Sequence, residues 1–346
     1  MPTPTIPAGN LFMNATLYTG NSSTQTITNG VAGQSFQPDF VWTKDRSVAN
    51  NHMLGDSVRG TNNTLFSNNA FAAFTDRGVD SFNSNGFTYS GTEGGDGNVS
   101  GNTYVAWQWK AGGTAVSNTS GTISAQVSAN TTSGFSIVTY TGTGSAGTVG
   151  HGLGAAPQMI ISKNRSATEN WRVGSIGLTN MASWHCNLDT TQAQSNSGAA
   201  IWNNTTPTST IFGVGTDTSV SGSGNLIVAY CWTPIAGYSA FGNYTGNGST
   251  DGPFVYTGFR PRFLLTKRSD AVESWRIGDS ARSPYNAVVL ELFANLSNVE
   301  ENNSNPIDYL SNGFKIRTSS SSHNASGGTY IYMVFAENPF KYANAR

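Results

Sequence analysis

The chain alternates short apolar runs with stretches rich in Gly, Asn, Ser and Thr, and nowhere does an apolar stripe keep a helical period for three turns. The best-defined run follows a proline three times. It reads Phe40-Val41-Trp42-Thr43 after Pro38, Met159-Ile160-Ile161-Ser162 after Pro157, and Phe263-Leu264-Leu265-Thr266 after Pro261. Each run ends on a lysine (Lys44, Lys163, Lys267) and then meets an arginine followed by serine, at Arg46, Arg165 and Arg268. Proline fixes its own φ and biases the residue before it toward extended geometry, so each run predicts a strand that starts just past a turn.

Further landmarks recur in the same order. Tyr18-Thr19-Gly20, Tyr140-Thr141-Gly142 and Tyr244-Thr245-Gly246 precede the prolines, while Met53-Leu54-Gly55-Asp56 corresponds to Arg172-Val173-Gly174-Ser175 and Arg276-Ile277-Gly278-Asp279. A second apolar strand closes each copy, with Trp107, Tyr230 and Val334 as matching positions. The chain therefore reads as three copies of one unit, over residues 17–110, 134–233 and 241–340. Apolar strands separated by turn residues, without helices, predict an all-β protein of three tandem antiparallel β-sandwiches, jelly-roll or lectin-like. Units of this size can bury a core of their own and are expected to fold alone.

The flanks differ from the units. Residues 1–16 carry Pro2, Pro4 and Pro7 and read as an extended arm, whose apolar anchors Leu11, Phe12 and Met13 are expected to dock on another subunit. Residues 111–133 are small and polar and read as a flexible linker. Only a few residues bridge units two and three.

Charge narrows the functional classes. Only 11% of residues are charged and the formal net charge is −1, which argues against a nucleic-acid-binding face. A surface of amides and hydroxyls suits self-assembly or recognition of sugars. Cys186 and Cys231 make no disulfide framework, and neither a leader peptide nor a membrane span is indicated.

The three lysines are expected at the strand rims with their ammonium groups in water, and the arginines on a carboxylate or carbonyl of a neighbouring loop. Pro38, Lys44, Arg46, Pro157, Lys163, Arg165, Pro261 and Lys267 thus read as repeated structural positions. Trp171 and Trp275 are expected in the core, and Trp184 and Trp202, in less apolar surroundings, are the better candidates for an interface or ligand surface. The four histidines show no metal-ligand spacing, and no cofactor, metal or catalytic constellation is expected. The loop from Glu93 to Asn98 offers oxygen ligands, but its spacing matches no calcium-binding hand.

The line Gln37-Pro38-Asp39-Phe40-Val41-Trp42-Thr43-Lys44, with Ser84-Asn85-Gly86-Phe87 and Tyr104-Val105-Ala106-Trp107-Gln108-Trp109-Lys110, resembles a repeat domain of virion proteins of marine and cyanobacterial tailed phages. Unit two lacks the Ser-Asn-Gly-Phe turn, and unit three keeps it as Ser311-Asn312-Gly313-Phe314 but ends without tryptophan. The resemblance implies a non-enzymatic particle component, a tail fibre or tail-fibre adaptor, assembled in the host cytoplasm and resident in the virion. It also implies other virion proteins as partners, a homo-oligomer such as a trimer, and host-surface polysaccharide as a candidate ligand. A lectin-like carbohydrate-binding module or a head-decoration protein is the alternative.

Overall fold

A computed structural model describes residues 9–30, 35–91 and 95–337. The protein is all-β, built from several antiparallel sheets. Unit one contains β1 (Met13–Thr19), β2 (Gln25–Thr28), β3 (Phe40–Asp45), β4 (Met53–Asp56), β5 (Leu65–Phe66), β6 (Ser81–Asn83), β7 (Gly86–Tyr89) and β8 (Thr103–Trp109). Two more strands follow, β9 (Val116–Asn118) and β10 (Ala125–Asn130). Unit two contains β11 (Phe135–Thr141), β12 (Gly147–Gly150), β13 (Met159–Asn164), β14 (Arg172–Ser175), β15 (Trp184–Asn187), β16 (Ser195–Asn196), β17 (Ile211–Val214) and β18 (Leu226–Trp232). Unit three contains β19 (Ser239–Thr245), β20 (Phe254–Tyr256), β21 (Pro261–Arg268), β22 (Arg276–Asp279), β23 (Val288–Phe293), β24 (Glu301–Leu310), β25 (Gly313–Ile316) and β26 (Thr329–Ala336). Three single-turn helices, α1 (Ala199–Trp202), α2 (Thr218–Ser221) and α3 (Ser321–Asn324), sit in connections.

Units one and two each set a long inner sheet beneath a smaller outer one, whereas unit three is built from one continuous sheet. The inner order in unit one is β1-β8-β3-β4-β5, under β2-β7-β6. Unit two runs β16-β15-β14-β13-β18-β11-β10-β9, with β12-β17 above. In unit three the sheet continues through β19-β26-β21-β22-β23-β24-β25-β20 and curls into a near-closed barrel around Leu264, Ile307, Phe314 and Val334. The proline-led strands pair with the closing strands in one register, Trp42 opposite Trp107, Ile161 opposite Tyr230 and Leu265 opposite Met333. Met333, not Val334, is thus the match to Trp107 and Tyr230. A run apolar on both faces does not fix register, and a slip of one residue exchanges the faces.

That alternation divides the core. Val41, Ala106 and Phe87 fill a small outer cluster in unit one, and units two and three have outer clusters of their own. The opposite faces of all three inner sheets meet in one central cluster that includes Phe40, Trp107, Ile161, Tyr230, Leu265 and Met333. All six fully buried tryptophans, Trp42, Trp107, Trp109, Trp171, Trp232 and Trp275, lie there. Phe40 stacks on Tyr230 of unit two at 4.3 Å, and Trp109 meets Phe263 and Phe335 of unit three edge-on at 5.4 and 5.7 Å. A buried tryptophan hides roughly 150–250 Å², which at about 25 cal/mol per Å² stabilises by on the order of 4–6 kcal/mol. The largest apolar burial therefore belongs to the three units jointly.

Both flanks depart from expectation. Within residues 111–133, read as a linker, β9 and β10 extend the sheet of unit two through β10-β11 pairing, and Ile123, Ala125 and Val127 enter its outer cluster. The period-two alternation of Ala125, Gln126 and Val127 outweighs the small-residue composition. In the arm, residues 1–8 lie outside the described part. Met13 is buried in the central cluster, and Phe12 packs beside it against the ring of Tyr238 at 6.4 Å. Leu11 closes a single 3-10 turn ahead of β1. These anchors dock on their own chain because β1 is an integral strand, paired with β8 along its whole length.

Candidate functional site

The unit-to-unit junctions repeat. The segment after β5 reaches unit two, where Ala73 N–H donates to Arg165 O at 2.9 Å and Glu169 N–H to Ala70 O at 2.9 Å. The segment after β15 reaches unit three in the same way, through Gln194 to Ser269 O and Glu273 to Thr191 O. Unit three closes the ring, with Glu300 N–H on Arg46 O at 2.8 Å. Indole N–H groups add to it: Trp171 donates to Phe66 O and Trp275 to Asn187 O, at 2.9 and 2.8 Å. At the equivalent place in unit one His52 accepts from Trp42 Nε1 at 2.9 Å and lies against the backbone of Phe293 and Leu296 of unit three.

The repeated lysines belong to these junctions and not to a wet rim. Lys44, Lys163 and Lys267 are fully buried, each donating to the carbonyl of the next residue, and Lys163 and Lys267 also reach Ala70 O and Thr191 O across a junction, at 3.1 and 3.3 Å. Burial lowers all three to about 8, against the pull of nearby carboxylates such as Asp45 and Glu169. Arg46 forks onto Glu300 of unit three at 2.8 and 2.9 Å, whereas Arg268 pairs with Asp270 in its own turn. Burial, with the Arg59 guanidinium nearby, lowers the Arg165 pKa.

Two junctions bury charge. Asp56 pairs with Arg59 and accepts from Tyr230 Oη of unit two at 2.7 Å; Asp279 pairs with Arg282 at 2.6 Å and accepts from Trp107 Nε1 of unit one at 3.0 Å. In unit two the same positions are Ser175 and Leu178, and the counterpart of Tyr230 and Trp107 is Met333, so that junction lacks the buried acid–arginine pair.

Among the described residues the first junction opens and the other two are bridged. Between units two and three Gly177 lies against β19, and Asn243 Nδ2 donates across to Gly177 O at 2.9 Å. A Cβ at Gly177 would collide with the Gly242 carbonyl. Between units three and one Arg262 seals the seam, donating to Asn14 Oδ1 and Ala15 O at 2.9 and 2.7 Å. At the first junction Val58 replaces Gly177 and Thr139 replaces Asn243, and a cleft of about 480 Å³ remains. Its floor is the cross-strand pair Gln126 and Thr139, its unit-one wall Gln37, Asp39 and Ser57. A second hollow of about 240 Å³ shares Gln126 and Thr139 with it and is lined further by Thr141, Arg165 and Leu226. Asp39 is buried, accepts from Ser57 Oγ and Ala111 N–H, both at 2.8 Å, and has its carboxyl pushed up by burial.

Residues 8–339 match a single family model, described as Domain of unknown function (DUF7483). The chain belongs to this family. One DUF7483 model thus spans all three units, as does the central core. No curated protein matches the chain.

In this DUF7483 protein the other sequence candidates fall in different places. Trp184 is half-buried against the central cluster, and Trp202 is buried in the outer cluster of unit two, closed off from any surface. Trp171 and Trp275 are core residues. Pro38, Pro157 and Pro261 are buried ahead of their strands. Cys186 and Cys231 are buried and unpaired. Thr92 to Gly94 of the acidic loop lie outside the described residues, and Asp96 accepts from Asn51 N–H at 2.8 Å. Among the described residues no group of three potential metal ligands occurs. The cleft residues escaped the sequence reading because Gln126 stood in the supposed linker and because the difference between Val58 and Gly177 acts only across units.

Proposed function

We propose that this chain is a structural component of a phage particle, a tail fibre or tail-fibre adaptor subunit that works by stable assembly and takes part in host attachment. Each unit serves as a small sandwich within one rigid block. The observation that carries the reading is the closed ring of junctions, in which hydrogen bonds join neighbouring units around a shared aromatic core. A threefold body of this kind, made from one chain, arrives at an assembly site with its geometry already set. The repeated Pro-to-Lys line and its likeness to virion repeat domains supply the context.

Cryo-electron microscopy of intact particles tests it. Density fitting the three-unit block at a fixed place on the tail is expected. Particles that lack the chain, or a purified chain that turns over a polysaccharide at enzymatic rates, would overturn it.

A further inference from the structure

Among the described residues the seams of the other two junctions are bridged where the first has its cleft, and the hairpin β9–β10 beside it has no counterpart in unit one or three. Along β11 the inward face changes from Phe135 and Ile137, in the central cluster, to Thr139 and Thr141 in the cleft. On β10 the same face presents Gln126, which is exposed. Gln37 on the opposite wall is exposed as well. These amides and hydroxyls both donate and accept hydrogen bonds.

The occupant follows from the lining. The lining holds one acid, Asp39, in the larger volume and one base, Arg165, in the smaller, so it carries no excess of either sign to select an anion or a cation. Of the apolar lining residues, Ala125 and Tyr140 are buried in the outer cluster of unit two, which leaves Val58, Ala115 and Leu226 as the apolar side chains on offer to a ligand, a small set beside the amides and hydroxyls. A peptide adding itself as a strand has nowhere to pair on the floor, since β10 lies between β9 and β11, and β11 between β10 and β18. The two volumes adjoin at Gln126 and Thr139, an extended arrangement that suits a linear molecule, and the floor is held by sheet ladders before any ligand arrives. We infer that this cleft binds a short segment of a neutral, hydroxyl-rich glycan. The inference names the ligand of the attachment role proposed above and rests on that reading only for its biological setting.

The test uses the full chain on an array of neutral oligosaccharides of the glucan, galactan and mannan types, with sulfated and uronate-bearing oligosaccharides as contrast. Binding of at least one neutral oligosaccharide is expected, weakened at least tenfold in Gln126→Ala and abolished in Ala115→Trp, which fills the mouth. Phe254→Ala, on the exposed face of β20 in unit three, is expected to bind as the parent does, and thermal melts confirm that each variant is folded. Absence of neutral-glycan binding, a preference for the charged oligosaccharides, or parent-like binding by both cleft variants would overturn the assignment. Incorporation of Gln126→Ala into particles is read separately: it is expected to be normal, so loss of glycan binding and loss of assembly are distinguishable.

Discussion

The first and second junctions join equivalent faces of the same repeat, yet one is a cleft and the other is sealed. At the second, glycine at 177 lets the backbones of units two and three touch, and Asn243 spans the contact. At the first, Val58 holds the units apart and Thr139 is too short to cross. The electrostatics differ as well, since the first junction buries the Asp56–Arg59 pair with Tyr230, and unit two replaces that pair by Ser175 and Leu178. A repeated fold thus leaves each junction free to take its own chemistry, provided its buried carboxylates and guanidinium groups are paired.

The charged junction gives the largest expected effect. Removing one partner, in Arg59→Ala, leaves Asp56 and Tyr230 facing an empty, desolvated position and is expected to cost about 3–5 kcal/mol. Copying unit two with Asp56→Ser plus Arg59→Leu should cost clearly less, and urea denaturation of both variants compares them. Equal losses would mean that the two junctions do not solve the same problem in alternative ways. Opening the sealed junction comes next: Gly177→Val is expected to destabilise by about 1–3 kcal/mol through overpacking and to raise amide exchange around Gly242.

The buried lysines end the same strand in every unit and give a pH signature. An unfolded lysine keeps its proton up to 10.5, while the folded ones release it near 8, so between those values the unfolded state carries more protons and stability rises with pH. The gain from pH 7 to pH 10 is expected to be on the order of 1–2 kcal/mol per lysine, and Lys163→Met should flatten the slope. Denaturation midpoints across this range give the measurement; a flat profile, unchanged by Lys163→Met, would place the lysines in water. The smallest effect separates the seams directly. Asn243→Ala should cost about 1 kcal/mol for its lost hydrogen bond, while Thr139→Ala in the cleft should be nearly neutral.

The repeat, its strands and its all-β class were legible because they rest on local signals: proline punctuation, apolar runs and glycine turns. Pairing register in β26 was not, since residues Ile331 to Ala336 are apolar on both faces. Nor was the burial of Lys44, Lys163 and Lys267, whose partners are backbone carbonyls that carry no sequence signature. α3 is a similar case, because Ser322, His323 and Asn324 look like a polar loop and are buried, with His323 hydrogen-bonded to Glu291. The shared core was hidden for a simpler reason. Alternation along a strand marks which faces are apolar, and it does not say whether such a face meets its own unit or the next.

Differential scanning calorimetry of the full chain tests that shared core most directly. Six buried tryptophans held jointly by three units, and junction bonds that close in a ring, predict one cooperative transition whose calorimetric and van't Hoff enthalpies agree. Two or three separable transitions, each matching the melting of an individually expressed unit, would contradict it.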